Sequence, residues 1–233
     1  MKLTAGQIAH IKAFISKRGF TYPDVQLEII DHVASRVEEL MTANPALSLD
    51  EAIQITHGEF GVMGFGVIED AITAGLQKRY LRLFGAAFVS YFRLKYIPLM
   101  VLFICLVYIP FVAVAKPELF FIAGFILVIA ALIALRYTDY KKYKRYNQLL
   151  TMKMGNLYLI FAMLIFQVWN VFGVQIRIYE HLSLNLVGII YGLLVVVVIV
   201  LFVTINTVRK KALQSCIELD KKYHLLEPVT IAA

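Results

Sequence analysis

The spacing of apolar residues changes about a third of the way along the chain. Up to residue 77, apolar residues recur every three to four positions, the period of an amphipathic helix, as in Val25, Ile29, Val33 and Val37. From residue 97 onward, apolar residues fill long stretches on every side, a pattern typical of helices in apolar surroundings. The chain is therefore predicted to be all-α, with a small cytoplasmic helical domain followed by a four-helix transmembrane bundle.

Capping signals divide the first 78 residues into short helices. Thr4 is followed three residues later by Gln7, and Ser48 by Glu51, which is the pattern of a capping box. The sequence Pro-Asp at 23–24 suits the start of the second helix, and Asn-Pro at 44–45 ends it. A last helix begins near residue 67, after the sequence GVMGFG. We expect these helices to form one cytoplasmic domain over residues 1–78.

Four stretches are long and apolar enough to cross a bilayer, which takes about 20 residues. They cover about residues 97–115, 119–136, 155–176 and 182–208. Pro110 lies deep in the first stretch and is expected to kink this helix or to end it early. Residues 79–96 are interpreted as an amphipathic helix at the membrane surface, and residues 209–233 as a basic cytoplasmic tail.

Lysine and arginine are concentrated in alternate loops. Five lie at residues 78–95 just before the first predicted span, six lie between the second and the third, and five follow the fourth, whereas the other two loops hold one each. Because basic loops remain on the cytoplasmic side, both termini are predicted to be cytoplasmic, in the inner membrane of a bacterium. The tyrosine- and lysine-rich stretch 137–147 is interpreted as contacting anionic lipid headgroups rather than nucleic acid.

Net charge follows the same division of the chain. Of its 233 residues 60% are hydrophobic, and its formal charge is +7. Residues 1–77 carry ten acids and five bases, whereas residues 78–233 carry six acids and eighteen bases. The basic excess lies beside the apolar stretches, which favours a membrane over a nucleic acid as partner. The two cysteines form neither a disulfide framework nor a zinc pattern, and we expect no cofactor.

The stretch DVQLEIIDHVASRVEEL, residues 24–40, holds the side-chain types of acid–base and metal sites. Glu28 and His32 are four residues apart on a helix, so both could reach one metal ion. A metal site needs more ligands, however, and the spacing matches neither the zinc nor the di-iron helix motif. We therefore interpret the acidic face of this helix as a surface for a protein partner. The alternative is a polar helix edge that carries local ion pairs. The residues of the acidic face are Glu28, Asp31, His32, Glu38 and Glu39.

Polar and small residues inside the predicted spans indicate helix contacts. Gln167 and Asn170 are expected to hydrogen-bond to neighbouring helices, with a polar pore lining as the alternative. Gly188 and Gly192 form a G-x-x-x-G pattern that permits close helix approach, either within the bundle or between copies in a homo-oligomer. The spans have no ionisable residue in their interior, which disfavours a proton-coupled transporter and an intramembrane hydrolase.

The order of helices in the N-terminal third resembles a known type of domain. A helix carrying QLEIIDHVASRVEEL, a short turn and then SLDEAIQITHGEFG are similar to the HAAS-type helical domain of bacterial membrane proteins. The resemblance covers roughly residues 1–75, and the whole chain is similar to four-span membrane proteins of Bacteroidetes-type bacteria. It implies a regulatory or adaptor domain without catalytic residues.

The expected function is non-enzymatic. The chain would act as an adaptor, regulatory or accessory subunit, binding a protein partner or a larger membrane complex through its cytoplasmic domain. The alternative is a small oligomeric channel or membrane-disrupting effector gated by the N-terminal domain. Ion flux in liposomes would favour the channel, whereas one stoichiometric partner of residues 1–78 would favour the adaptor.

Overall fold

The computed structural model describes residues 2–114, 116–138, 140–158, 160, 164, 167–169, 171 and 177–224. Every regular element in these residues is helical and none is a strand, so the predicted all-α class is confirmed. Short 3-10 turns lie at Leu94–Tyr96 and Ile178–Glu180. The α-helices are α1 (Ala5–Ser16), α2 (Pro23–Ala43), α3 (Leu49–Glu59), α4 (Gly66–Ser90), α5 (Ile97–Val114), α6 (Pro117–Thr138), α7 (Tyr140–Tyr146), α8 (Leu150–Asn156) and α9 (Leu184–Tyr223).

The chain divides into two compact units. The first unit comprises Met1–Arg79, Arg145–Met154 and Ala212–Ala233. The second unit comprises Tyr80–Lys144 and Gly155–Lys211. The sequence predicted a domain boundary near residue 78, close to the end of the first segment. It did not predict that the first unit also includes residues from a later loop and from the C-terminal region.

The helix ends of the first unit follow the capping chemistry of the sequence. Both predicted capping boxes are present. The side chains of Thr4 and Ser48 each accept a hydrogen bond from the backbone N–H of the third helical residue, and the side chain of that residue accepts one from the backbone N–H of the cap. Hydrogen bonds from Ser48 also hold the pKa of the Glu51 carboxyl below its ordinary value. Helix α2 begins at Pro23 and ends at Ala43, as the prolines on either side predicted.

One apolar stripe of α2 forms the centre of the first unit. Its four predicted stripe residues are all fully buried, and they pack with buried residues of α1, α3, α8 and the turn before α4. Burying each such side chain stabilises the fold by roughly 1.5–3 kcal/mol. The buried residues are Ile11, Ile15, Val25, Ile29, Val33, Val37, Ala52, Ile53, Phe65 and Leu150.

Helix α4 is longer than predicted. It runs without interruption from Gly66 to Ser90, so residues 79–96 do not form a separate surface helix. The predicted boundary lies in the sequence Leu-Gln-Lys-Arg at 76–79, which consists of strong helix formers and holds no proline. The chain breaks instead at residues 91–93, before the 3-10 turn at Leu94–Tyr96.

Two helical stretches of the described residues are long and apolar enough to cross a membrane, Leu94–Val114 and Leu184–Tyr223. The second predicted span falls in α6, where the apolar stretch Pro117–Ala131 is shorter. The third predicted span, 155–176, lies mostly outside the described residues. Two of the four predicted spans therefore coincide with helices that could cross a membrane, and the four-helix transmembrane bundle is not confirmed.

Helix α5 has the predicted length, whereas α9 is longer than predicted. Helix α5 continues through Pro110 to Val114, so the proline does not end it. Helix α9 continues beyond the predicted span end at residue 208 to Tyr223. The sequence RKKALQSCIELDKKY at 209–223 lacks proline and glycine and favours helix, which explains why the predicted basic tail is helical over this length. Residues 225–233 lie outside the described residues.

Aromatic side chains organise the core of the second unit. Trp169 donates its indole N–H to the carbonyl of Phe121 at 3.0 Å, and the Tyr191 hydroxyl donates to the carbonyl of Phe120 at 2.6 Å. The Trp169 and Tyr191 rings meet edge to face with centroids 5.1 Å apart, and Tyr191 stacks on Phe111 at 5.2 Å. Each buried polar atom of this pair thus has a partner, which removes the cost of desolvating it.

Candidate functional site

The N-terminal end of α2 binds a helix that is distant in sequence. The two carboxylate oxygens of Asp24 accept hydrogen bonds from the backbone N–H groups of Leu150 and Thr151, both at 2.9 Å. The Thr151 hydroxyl donates to the same carboxylate at 2.8 Å. These N–H groups belong to the first turn of α8, which has no carbonyl partners for them within the helix. Asp24 therefore caps α8 from 126 and 127 residues away.

Helix α8 depends on this contact for its stability. It has seven residues, and an isolated helix of that length is unstable in water. Leu149 precedes it and has no polar side chain to act as a cap. The Asp24 carboxylate supplies the missing cap, while Leu150 is buried in the core of the first unit. The Lys153 ammonium also donates to the Tyr22 hydroxyl and lies over the Tyr22 ring.

The C-terminal part of α9 joins the same unit. Arg145 forms a salt bridge with the largely buried Asp220 at 3.1 Å, and Arg79 hydrogen-bonds to Ser215 at 3.3 Å. Cys216 is fully buried. Burial raises the pKa of its thiol to about 12, with a smaller contribution from the Asp24 carboxylate. Cys216 is therefore a protonated packing residue rather than a reactive thiolate.

Three of the five residues of the predicted acidic face lie together on an exposed side of α2. Glu28 and His32 approach to 3.8 Å, with 57% of each side chain exposed. Asp31, three residues after Glu28, is exposed on the same side of the helix. We call Glu28, Asp31 and His32 the acidic strip. Asp24 lies one helical turn before Glu28, so the strip begins next to the residue that caps α8.

The other two residues of the predicted face are occupied within the chain. Glu38 accepts a hydrogen bond from the backbone N–H of Leu3 at 2.8 Å. Glu39 and Glu59 both bind the Arg36 guanidinium, at 2.8 and 2.7 Å. Arg36 holds the pKa of the Glu59 carboxyl below its ordinary value, and the two carboxylates raise the pKa of Arg36. The structure therefore separates these two residues from the acidic strip.

Histidine 57 has a packing environment rather than an ionic one. Its ring meets Phe65 edge to face at 4.9 Å and Phe14 at 6.0 Å. Burial lowers the pKa of His57, and the charge of Arg18 lowers it further. The surroundings of His57 therefore favour the neutral ring.

A metal site at Glu28 and His32 would need further ligands from the part of the chain that the structure describes. No group of three or more histidine, cysteine, aspartate or glutamate side chains there is placed to hold a metal ion. Glu28 and His32 are close enough to bind one metal ion, but the next acid of the strip, Asp31, does not complete a group of three ligands.

The two glycines of α9 contact α5 of the same chain. A Cβ atom at Gly188 would lie 3.0 Å from the Tyr108 ring, and one at Gly192 would lie 3.1 Å from Ile104. The G-x-x-x-G pattern thus serves close helix approach within the second unit, so a homo-oligomer would have to use other residues. Gln167 is exposed and Asn170 lies outside the described residues, so the helix contacts expected of both stay predictions.

Sequence reasoning missed Asp24 and Thr151 as interacting residues. Asp24 was assigned only to the start of α2, where an acid is favoured in any case. The available signal was the missing cap: α8 begins after Leu149, so its N-terminus needs an acceptor from elsewhere in the chain. No local pattern indicates which acid provides it.

The described residues define an all-α protein with two helices that could cross a membrane and a helical unit with an exposed acidic strip. No protein-family model, curated protein or solved structure matches the chain. The resemblance to the HAAS-type domain therefore depends on residues 26–40 and 48–61 alone and stays a prediction.

Proposed function

We propose that this protein is a non-enzymatic adaptor or accessory subunit of the bacterial inner membrane. It crosses the membrane four times, with both termini in the cytoplasm, and its basic loops contact anionic lipid headgroups. The N-terminal helical domain, of the HAAS type, binds a protein partner there. The two long apolar helices and the alternation of basic loops support the membrane part of this proposal.

The observation that carries the partner proposal is the exposure of the acidic strip. Glu28, Asp31 and His32 are exposed together on one side of α2, whereas Glu38 binds a backbone N–H and Glu39, which is also exposed, pairs with the cation Arg36. Exposed carboxylates on a rigid helix steer a basic partner and fix its register more than they add affinity. The partner surface is therefore basic, and it contacts residues that are spaced along one face of α2.

Binding of a partner at the acidic strip would also affect other parts of the first unit. Glu28 is one helical turn from Asp24, whose carboxylate holds the first turn of α8. A partner that shifts or tightens this end of α2 changes the contact with α8. Binding at the domain would thereby be coupled to the loop between the second and third proposed spans.

Site-specific crosslinking tests the partner surface. A photoreactive amino acid at position 35, an exposed site one helical turn after Asp31, is expected to give one discrete crosslinked product in the full-length protein expressed in its own cells. Glu28→Lys together with Asp31→Lys should abolish it, because both charges that attract the partner are reversed. Asp70→Lys changes an exposed acid of α4 and should leave the product unchanged. Equal loss in both variants would show that only overall charge matters and would contradict the proposed strip.

Thiol labelling tests the topology. In a variant with Cys105→Ser and Cys216→Ala, single cysteines are placed at the exposed positions Ala46, Lys116 and His181. A membrane-impermeant maleimide applied to intact spheroplasts should label positions 116 and 181 and should spare position 46 until the membrane is permeabilised. Labelling of position 46 in intact spheroplasts would overturn the proposed orientation.

A further inference from the structure

An apolar cavity of about 610 Å³ lies within the second unit. One side of α6 lines it at Phe120, Gly124, Val128 and Ala131, positions that share a helix face. One side of α9 faces it from Tyr191 to Val203, and α5 and Trp169 add further lining residues. Exposed lining residues such as Leu127 and Ile199 leave the cavity open on one side. This volume falls in the range of cavities that bind small molecules, about 300–1,000 Å³.

The cavity is elongated along its two helical walls. The lining residues cover twelve positions of α6 and thirteen of α9, which at a rise of 1.5 Å per residue gives a length of about 17 Å. Half of a bilayer's hydrocarbon core is about 15 Å thick, taking the whole as roughly 30 Å. The cavity is thus about as long as the acyl chains of one leaflet are deep.

The polar atoms at the aromatic end of the cavity are already bound. The Trp169 indole N–H and the Tyr191 hydroxyl both donate to carbonyl oxygens of the first turns of α6. The other lining side chains are aliphatic or phenyl groups. A buried water needs two to four polar partners, so the cavity does not suit water, whereas apolar cavities of this kind bind apolar molecules.

We propose that this cavity binds one hydrocarbon chain of a membrane lipid. Its walls belong to α5 and α9, which are apolar enough to cross a membrane, and to the apolar part of α6, so hydrocarbon chains surround it. The chain lies along α6 and α9 with one end against the Trp169 and Tyr191 rings. This proposal rests on the membrane part of the proposed function, whereas the site is separate from the acidic strip, so a failure of the crosslinking experiment would leave it unaffected.

Small residues of α6 keep the cavity open. Ala123 and Ala131 line it, and a leucine at position 123 would occupy part of its volume. Ala130 lies on the same helix, is exposed and does not line the cavity. Ala123→Leu and Ala130→Leu therefore add the same side chain to one helix, but only the first fills the cavity.

Trp169 provides a direct readout. It is the single tryptophan of the chain, it is 1% exposed, and it lines the cavity. The full-length protein is reconstituted into phosphatidylcholine vesicles whose acyl chains are either unmodified or brominated at mid-chain, since bromine quenches tryptophan only at close contact. We expect the brominated lipid to remove more than half of the Trp169 fluorescence. Ala123→Leu should restore most of this fluorescence, and Ala130→Leu should restore none.

Two outcomes overturn the proposal. Equal Trp169 fluorescence in brominated and unmodified vesicles would show that no acyl chain reaches the cavity. Equal quenching in Ala123→Leu and Ala130→Leu would show that bromine acts from the surrounding bilayer. Circular dichroism verifies that both variants are folded. If Ala123→Leu is not folded, Val195→Phe fills the cavity from α9 and takes its place with the same expected result.

Discussion

Helices α2 and α5 bury very different shares of their apolar side chains. In α2 the stripe residues Val25, Ile29, Val33 and Val37 are fully buried and the other faces are polar. In α5, by contrast, Phe111 is the buried residue, and Ile109 is 64% exposed. Since exposed apolar surface is unfavourable in water, α2 has the composition of a helix in water and α5 that of a helix in hydrocarbon.

The two units are accordingly stabilised by different interactions. The first combines an apolar core with capping hydrogen bonds and ion pairs, such as those of Asp24 and Arg36. The second relies on close contacts of glycines and aromatic rings, as at Gly124 and Trp169. Such close packing is the interaction that drives helix association in lipid, where the hydrophobic effect between helices is absent.

The largest expected effect tests directly whether α2 and α5 have different surroundings. Ile29→Ala should lower the free energy of unfolding by about 2–5 kcal/mol, because it leaves a cavity in a fully packed core. Ile109→Ala, the same change at an exposed site of α5, should alter it by less than about 0.5 kcal/mol. Chemical denaturation in mild detergent measures both. Similar losses at the two sites would break the comparison between α2 and α5.

The next effect tests close packing in the second unit. A Cβ atom at Gly124 would lie 2.1 Å from the Trp169 ring and 2.7 Å from the Tyr191 hydroxyl. Gly124→Ala should therefore destabilise the protein by about 1–3 kcal/mol or more, because the rings must move. Thermal unfolding followed by Trp169 fluorescence measures this.

Gly85→Ala is the matched control for Gly124→Ala. Gly85 lies inside α4, and a Cβ atom there would meet nothing within 4 Å. Its replacement should stabilise the helix by roughly 0.5–1 kcal/mol. If both alanine variants behave alike, the second unit does not depend on the contact between Gly124 and the aromatic rings.

A smaller effect tests the polar contact of the first unit. Asp24→Ala removes the cap of α8 and should cost about 0.5–2 kcal/mol, the range for loss of a helix cap. Hydrogen exchange at Leu150 and Thr151 should become faster. Asp31→Ala removes an exposed acid from the same helix and should leave that exchange unchanged.

The smallest effect is a dependence of stability on pH in the first unit. The pKa of His57 is lowered in the folded state, so the unfolded chain binds the proton more readily. Stability is therefore full above the ordinary histidine pKa, about 6.5, and declines as pH falls below it. His57→Phe should make the melting temperature depend less on pH between about 6.5 and 5. An unchanged profile in this variant would contradict the neutral, packed histidine.

Local signals explain how much of the fold could be predicted. The starts of α1, α2 and α3 and the buried stripe of α2 followed from caps, prolines and apolar spacing, because each acts within one or two helical turns. The ends of α4 and α9 were placed too early, because a change from apolar to basic residues does not interrupt a helix when every residue favours it.

The candidate site divides in the same way. The sequence alone determined that Glu28, Asp31 and His32 share one face of a helix, since that follows from helical spacing. The pair Arg36–Glu39 follows from i,i+3 spacing on one helix. Only the tertiary structure decided that Glu38 binds the backbone of Leu3 and that Asp24 caps α8. Those contacts join segments as much as 127 residues apart, and the packing of the core, rather than any local pattern, selects which polar groups meet.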